Sequence, residues 1–539
     1  MSEAEQHKPL KLALLLGSSW AINQLDYAMT QVCLPLIQEY YDVPESQTQW
    51  LQIAHSISIS SVCVVAGKLG DRLGGDRVFK FGLLCAGIFN LGQFWAPTFA
   101  LRLTARIIAS CAYALGSANS GPNYLRIVGP KLVPICLALN TLVGTVAMIV
   151  APIIGGIIGG LSSDPLNPSW PYIYLVISVA CFLWFGANCL WLPKTARISE
   201  GQFDIVGALM FSVAIFCLVF GIAAIPMDMV STAASVVSLA AFVIIVPFLL
   251  RHEARHPSPI LPTKLLSHKK AKNTLMAGIF FMVCLQCLNY FLSYAYEWVF
   301  GLDVGTAGLM MAIGPIGMAA TAIIIGKVME KVAARPILMG GMLLTALSAL
   351  PIAGSVMPLM SLGCFVVSVT FMNAVAGTFA VANQSNLLAV MPRMYAGAIS
   401  ALLTALNQAG NSSGIASAVL LQKFFIKHLS GWEGDIPAIP TEDYIPYYTK
   451  SLVFVFCCSA PLGLIGASFI PGIGYSENDR GKKYTDESRI ETVTLDSTAA
   501  IEGSSLLGDA SEGSPLDGRK RTVMMHGEHE EIESDSGEV

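Results

Sequence analysis

Fourteen apolar stretches, each near bilayer length, follow one another between about residue 11 and residue 474. Lipid offers backbone amides no partners, so a spanning segment of about 20 apolar residues must be a helix that satisfies its own hydrogen bonds. One such run is compatible with a signal peptide or a core helix. Fourteen in series predict an all-α polytopic membrane protein. Composition agrees: 54% of residues are hydrophobic and 13% charged, where soluble domains carry about 25% charged residues. Mean hydropathy is +0.62. Residues 1–9 are polar, and the first apolar run carries Asp26 and continues to span length. It therefore reads as a first transmembrane helix rather than a cleavable leader.

The expected helices cover roughly 11–37, 50–69, 78–97, 100–123, 134–160, 170–192, 204–226, 231–250, 273–299, 304–326, 336–355, 357–381, 396–421 and 450–474. With the N-terminus inside, the inner loops hold 18 Lys and Arg and the outer loops 4. The positive-inside rule selects that orientation, and an even span count puts both termini in the cytosol. The outer loop 38–49 carries Glu39, Asp42 and Glu45 with no base. The tail from about residue 475 is rich in Ser, Glu, Asp, Gly and Lys, too polar to fold alone, and reads as disordered. The 13 cysteines are scattered. Cys284 and Cys287 are spaced CxxC without a second pair, so packing is the expectation, with no metal and no cofactor. No nucleophile–base pair, HExxH or Walker loop points to an enzyme. Nothing points to nucleic acid, and the expected partners are a small-molecule substrate, protons and the lipid bilayer, with the chain acting as a monomer.

Two inner loops repeat. GKLGDRLGGDR (Gly67 to Arg77) follows the second helix and GKVMEKVAAR (Gly326 to Arg335) follows the tenth, at a constant offset of 259 residues. Gly67 matches Gly326, Asp71 matches Glu330 and Arg72 matches Lys331. The repeat implies duplicated halves. The predicted organisation is a cytosolic N-terminus (1–10), an N-terminal six-helix bundle (11–194), two additional central helices with a basic cytosolic loop (195–272), a C-terminal six-helix bundle (273–474) and the tail (475–539). Parallel six-helix repeats are the plan of rocking transporters that bind cargo between the halves.

Ionisable groups inside spans are costly and so are functional candidates. At ~1.5 Å per residue, Asp26 lies ~22 Å above the cytosolic end of the first helix, Arg106 ~9 Å below the outer surface and His55 ~8 Å below it. In a core of ~30 Å these three share a depth. A carboxylate alone in hydrocarbon takes up a proton, whereas beside an Arg it stays charged. Moving Arg106 towards or away from Asp26 would therefore couple protons to a conformational change, with His55 as a relay. The alternative is a static buried pair beside a packing histidine. Glu297 ends the ninth expected helix near the outer interface, in NYFLSYAYEW, after Asn289, Tyr290, Tyr294 and Tyr296. An aromatic cluster with one carboxylate suits an organic cation, and an interfacial aromatic belt is the other reading. Asn407 and Asn411 share one face of the thirteenth helix and could bind cargo or bridge helices. In the first inner loop, Gly67 and Gly74 would let backbones approach. Asp71, with Arg72 and Arg77, would bond the N-terminus of a neighbouring helix as a conformational latch, with Glu330 in the second copy. A plain topological anchor would look similar.

These residues resemble the major facilitator superfamily, and more narrowly its fourteen-spanner drug:proton antiporters, common in fungi. Gly67, Leu69, Asp71, Arg72 and Gly74 match its loop motif, with Arg77 slightly late. LDYAMTQVCLP (Leu25 to Pro35) resembles its first-helix pattern at Asp26, Leu34 and Pro35. Trp50 matches a family Trp, whereas His55 stands near a usual Tyr. Arg106 matches the helix-four pattern, but Ala109, Ser110 and Ala112 replace its Gln and Gly residues. Gly144 and APIIGG, with Pro152, Gly155 and Gly156, resemble the antiporter motif of helix five, with Ala151 for the first Gly. In that family the segment is thought to bias against leak. The resemblance implies a proton-coupled exporter of small organic molecules (drugs, toxins or secondary metabolites) in the plasma membrane. The alternatives are a carrier of a small polar solute or ion such as ammonium or a siderophore, or a sensor of the same fold that does not transport.

Overall fold

The computed structural model describes residues 9–128, 133–162, 168–195, 204–225, 232–256, 269–328, 334–355, 361–390, 396–431 and 443–470. Every regular element among them is helical. Fourteen helices have 14 residues or more: α1 Pro9–Val32, α2 Trp50–Leu73, α3 Gly75–Phe94, α4 Phe99–Val128, α5 Val133–Gly160, α6 Tyr172–Trp191, α7 Ile205–Ala224, α8 Thr232–Glu253, α9 Lys269–Asn289, α10 Val304–Val328, α11 Ala334–Leu347, α12 Leu362–Val390, α13 Ala396–His428 and α14 Ile445–Ala467. Among the described residues, eleven helical runs are long and apolar enough to cross a membrane. α1, α3 and α13 fall outside that set although they are 24, 20 and 33 residues long. Their polar residues set them apart. α1 carries Asn23, Gln24, Asp26 and Gln31; α3 opens on Asp76, Arg77 and Lys80; α13 carries Asn407, Gln408, Asn411 and Ser412.

The helix pairings recur with an offset of eight. α1 packs on α5 as α9 packs on α13; α2 on α4 as α10 on α12; α3 on α6 as α11 on α14. The two largest contacts that join the sets are α2 with α13 and α5 with α10. Exchanging the two sets turns one of these contacts into the other, as a two-fold relation requires. α7 leans on α2 and α13 beside one of these seams, and α8 packs mainly on α7. Only 11% of the apolar window of α8 is buried, so most of its surface is left to face lipid.

Local chemistry shapes several ends. α1 breaks at Cys33 and resumes as the short helix Leu34–Tyr41, with Pro35 in its first turn, where a missing N–H costs nothing. Asp204 caps α7, its Oδ1 accepting from the Gly207 N–H at 2.7 Å and from His252 Nε2 at 2.8 Å, which ties the end of α8 to the start of α7. Arg102, counted from sequence among the outer-loop cations, is 1% exposed. Its guanidinium lies 4.5 Å from the Trp170 ring centre and Nε donates to Tyr41 Oη at 2.9 Å. Beyond α9 the chain forms a π-helical turn, Ala295–Val299, that carries Glu297.

Candidate functional site

α1, α2 and α4 bring Asp26, His55 and Arg106 together, each at most 1% exposed. Arg106 Nη1 donates to Asp26 Oδ1 at 2.7 Å and to Thr30 Oγ1 at 3.2 Å. Its Nε donates to the Leu51 carbonyl at 2.8 Å and its Nη2 reaches Gln52 Oε1 at 3.5 Å. The guanidinium is thus anchored on α2 while it faces the acid on α1. Asp26 Oδ2 has no hydrogen-bond partner and lies 3.8 Å from His55 Nδ1. His55 is held by Asn23 Oδ1 at 2.8 Å from Nε2 and by Ser110 Oγ at 2.9 Å from Nδ1. Thus one oxygen of a buried carboxylate is committed to Arg106, and the other is open towards an imidazole. A proton arriving on Oδ2 would weaken the hold of Arg106 on Oδ1.

The polar groups of α9 and α13 lie at two levels. Near the C-terminal end of α9, the Asn289 carbonyl accepts from Gln31 Nε2 at 2.9 Å, and Tyr294 Oη donates to Gln38 Oε1 at 3.4 Å. Glu297 Oε1 is buried and lacks a partner. Deeper, Asn407 faces Gly278 of α9, and Asn411 Nδ2 donates to Gln408 Oε1 at 3.0 Å. Tyr27, the neighbour of Asp26, accepts from Gln286 Nε2 of α9 at 2.6 Å, and its carbonyl accepts from Gln52 Nε2 at 3.0 Å. The glutamines Gln31, Gln38, Gln52 and Gln286 were not singled out from sequence. A polar amide inside an apolar span was the available signal. Which helix answers it is a tertiary matter.

The helix-five glycines are close-approach positions. A Cβ on Gly144 would sit 2.0 Å from the Trp20 ring, and one on Gly155 3.1 Å from Met29 Cα, both against α1. A Cβ on Gly156 would meet Gly308 Cα of α10 at 3.1 Å, and one on Gly308 would meet the Pro152 carbonyl at 2.2 Å. This segment therefore seats α5 on α1 along one face and on α10 along another.

The inner loop differs from expectation. Asp71 pairs with Arg126 at the end of α4, not with a helix N-terminus. The acid that binds a backbone N–H is Asp76, whose Oδ1 accepts from Thr195 N at 3.1 Å. Gly67 is not a close approach, since the nearest atom to its Cβ position is 4.0 Å away. Gly70 and Gly75 fill that role. Their Cβ positions fall 1.6 Å from Asn119 Oδ1 and 2.2 Å from Asn123 Oδ1, two α4 side chains whose spacing of four aligns them on one face. Gly74 ends α2 at φ +101°, where a side chain would be strained. Glu330 lies outside the described residues. No group of three or more His, Cys, Asp or Glu that could hold a metal occurs among the described residues.

A bundle of apolar helices with a buried ion pair and polar rungs between two like-packed helix sets defines an integral membrane transporter. The Major Facilitator Superfamily profile matches residues 16–415, and the chain belongs to that family. It is 25% identical over 219 residues to the major facilitator superfamily multidrug transporter mfsC of Aspergillus fumigatus, covering 39% of this chain and 40% of that protein's length. The uncharacterized transporter YebQ of Escherichia coli is 22% identical over 427 residues, 77% of this chain and 89% of YebQ. A bacterial homologue of the human lysosomal transporter Spinster, solved inward-facing and unoccupied, superposes with a TM-score of 0.63 at 14% identity over 88% of this chain and all of the other. That likeness speaks to the fold alone.

Proposed function

We propose that this protein is a proton-coupled exporter of small organic molecules that works by alternating access, with fourteen spans arranged as two six-helix halves and α7–α8 added at one seam. The observation that carries the coupling is the Asp26–Arg106 pair, 2.7 Å apart and fully buried. Arg106 keeps its charge at any working pH, so the pair changes state only through Asp26. When Asp26 is ionised it holds Arg106, and through Leu51 and Gln52 it holds α2 against α1. When it is protonated, the charge on Arg106 is released to reorient. Tyr27 and Gln286 carry that rearrangement from α1 to α9 in the other half. His55 and Ser110 offer the proton a route to Oδ2.

Tyr294 and Glu297 near the outer end, with Asn289, and Asn407 and Asn411 deeper, form the cargo path in this reading. Their aromatic and carboxylate chemistry favours an organic cation or a neutral aromatic solute. Export is favoured over uptake by the likeness to the multidrug efflux pump LfrA of Mycolicibacterium smegmatis, 22% identical over 340 residues. The experiment is transport in proteoliposomes under an imposed pH gradient, with native protein compared to Asp26→Asn. Substrate-dependent proton flux lost by at least tenfold, with protein still correctly inserted, is the expected result. Unaltered gradient-driven transport in the variant would remove Asp26 from the mechanism. Proton and cargo moving in the same direction would replace export with uptake.

A further inference from the structure

The outer loop between α1 and α2 supplies an acid that the coupling scheme leaves unused. Glu45 begins the short helix Glu45–Thr48 that leads into α2. Although it stands at the outer end, its Oε1 is buried and has no hydrogen-bond partner. The groups that face it come from both helix sets. Gln49 lies on its own side, Gln422 and Lys423 on α13, Tyr290 and Tyr294 just beyond α9, and Tyr444 and Tyr448 at the start of α14. Gln49, Gln422, Tyr290, Tyr294 and Tyr448 are each at most 4% exposed. The Gln49 and Gln422 amides are the side chains that reach the carboxylate. Lys423 is the cation facing the acid, and it is itself partly exposed at the outer end of α13, where water and salt screen it.

The halves also meet around this point. Tyr294 bonds Gln38, and Gln31 bonds the Asn289 carbonyl. One oxygen of Glu45 is thus enclosed where the outer side closes, while the residue as a whole stays partly exposed, and opening that side returns the oxygen to water. A carboxylate that leaves water for a phenol- and amide-lined site with an unpartnered oxygen is costly to bury charged.

We propose that closure of the outer gate takes up a proton from the outer medium onto Glu45. It goes beyond the Asp26 scheme and stands on alternating access alone. The sign follows from burial. Acid outside protonates Glu45 and favours the closed gate, and alkaline conditions leave it charged and favour the open one. An exporter that returns with protons gains an outer loading point ahead of the deeper pair.

The test uses the full-length protein with spin labels at exposed Leu161 and Leu429, at the outer ends of α5 and α13, on a background from which the native cysteines have been removed. The native protein is expected to shift from longer to shorter label distances as pH falls. Glu45→Gln, a permanent mimic of the neutral acid, is expected to stay short across the range and lose the pH response. Glu45→Asp is expected to keep it. A pH response in Glu45→Gln equal to native overturns the proposal. So does an outer side held open at every pH in both Glu45→Gln and Lys423→Met, because the gate would then be held by an ion pair. In Asp26→Asn the response is expected to persist, so failure of the coupling scheme is read separately.

Discussion

The buried pair concentrates the energetics at the scale of single residues. Removing one partner of a buried pair costs about 3–5 kcal/mol, because the other charge is left uncompensated. Arg106→Ala is therefore expected to lower the thermal stability of the purified protein by an amount of that order, and the double variant Asp26→Asn with Arg106→Gln to recover much of it. A double variant no more stable than Arg106→Ala would mean that Asp26 is not the charge Arg106 compensates. His55 and Ser110 are two of the places where helices two and four depart from the family pattern, and the fold puts them in contact at 2.9 Å. Read singly they looked like losses of motif, and together they are one hydrogen bond. The shared depth of Asp26, His55 and Arg106 was legible because 1.5 Å per residue is a rigid ruler along a helix. Their contact was not, since rotation of each helix about its axis leaves depth unchanged.

Among the elements, α5 shows how small residues decide what a helix can touch. Gly144→Leu would drive a side chain into Trp20 and is expected to reduce folded yield, as overpacking typically costs about 1–3 kcal/mol. Gly156→Leu acts on the contact with α10 instead, so the expectation there is intact folding with transport reduced by more than tenfold. Equal effects of the two on yield and on transport would mean that α5 has one packing role, not two. The start of α7 gives a pH prediction. Burial raises the Asp204 carboxyl, but the Gly207 N–H and the His252 side chain outweigh it and hold the group below its usual range. A depressed acid contributes stability above its unfolded value, near 3.9, and loses that contribution as pH falls through the folded value. Asp204→Ala is therefore expected to lower stability near neutrality by about 1 kcal/mol, the usual cost of a lost N-cap, with the difference from native vanishing only in strong acid. Thermal melts of both proteins at pH 7, pH 6 and pH 3 read this out, and a difference that is already gone at pH 6 would contradict it.

At the scale of the whole molecule, the recurrence of helix pairings at an offset of eight and the two exchangeable seams are what a rocking pair of halves needs. The loop repeat raised the expectation of duplicated halves from a few matched residues, but carried no sign that α7 would lie against α2 and α13. A disulfide across the α5–α10 seam tests whether the seam opens. Val304 Cγ1 lies 3.1 Å from the Cβ position of Gly159, within reach of a bridge. Gly159→Cys with Val304→Cys is expected to stop transport when oxidised and to regain it on reduction. Full transport by the oxidised form would rule out separation of α5 from α10.

What the chain by itself determined is its solvent and its long elements. Hydropathy over about 20 residues is a local sum, and the demand for internally bonded backbone leaves a membrane helix no alternative. Loop charge gave the expected orientation for the same reason, being additive along the sequence. Tertiary structure decided which polar side chains meet. Asp71 found Arg126 rather than a helix end, Gly70 rather than Gly67 took the close contact, and Glu45 came to face Gln422 across more than 370 positions of chain. Those pairings depend on the rotation and tilt of whole helices, which are set by summed packing over each interface and written in no single residue.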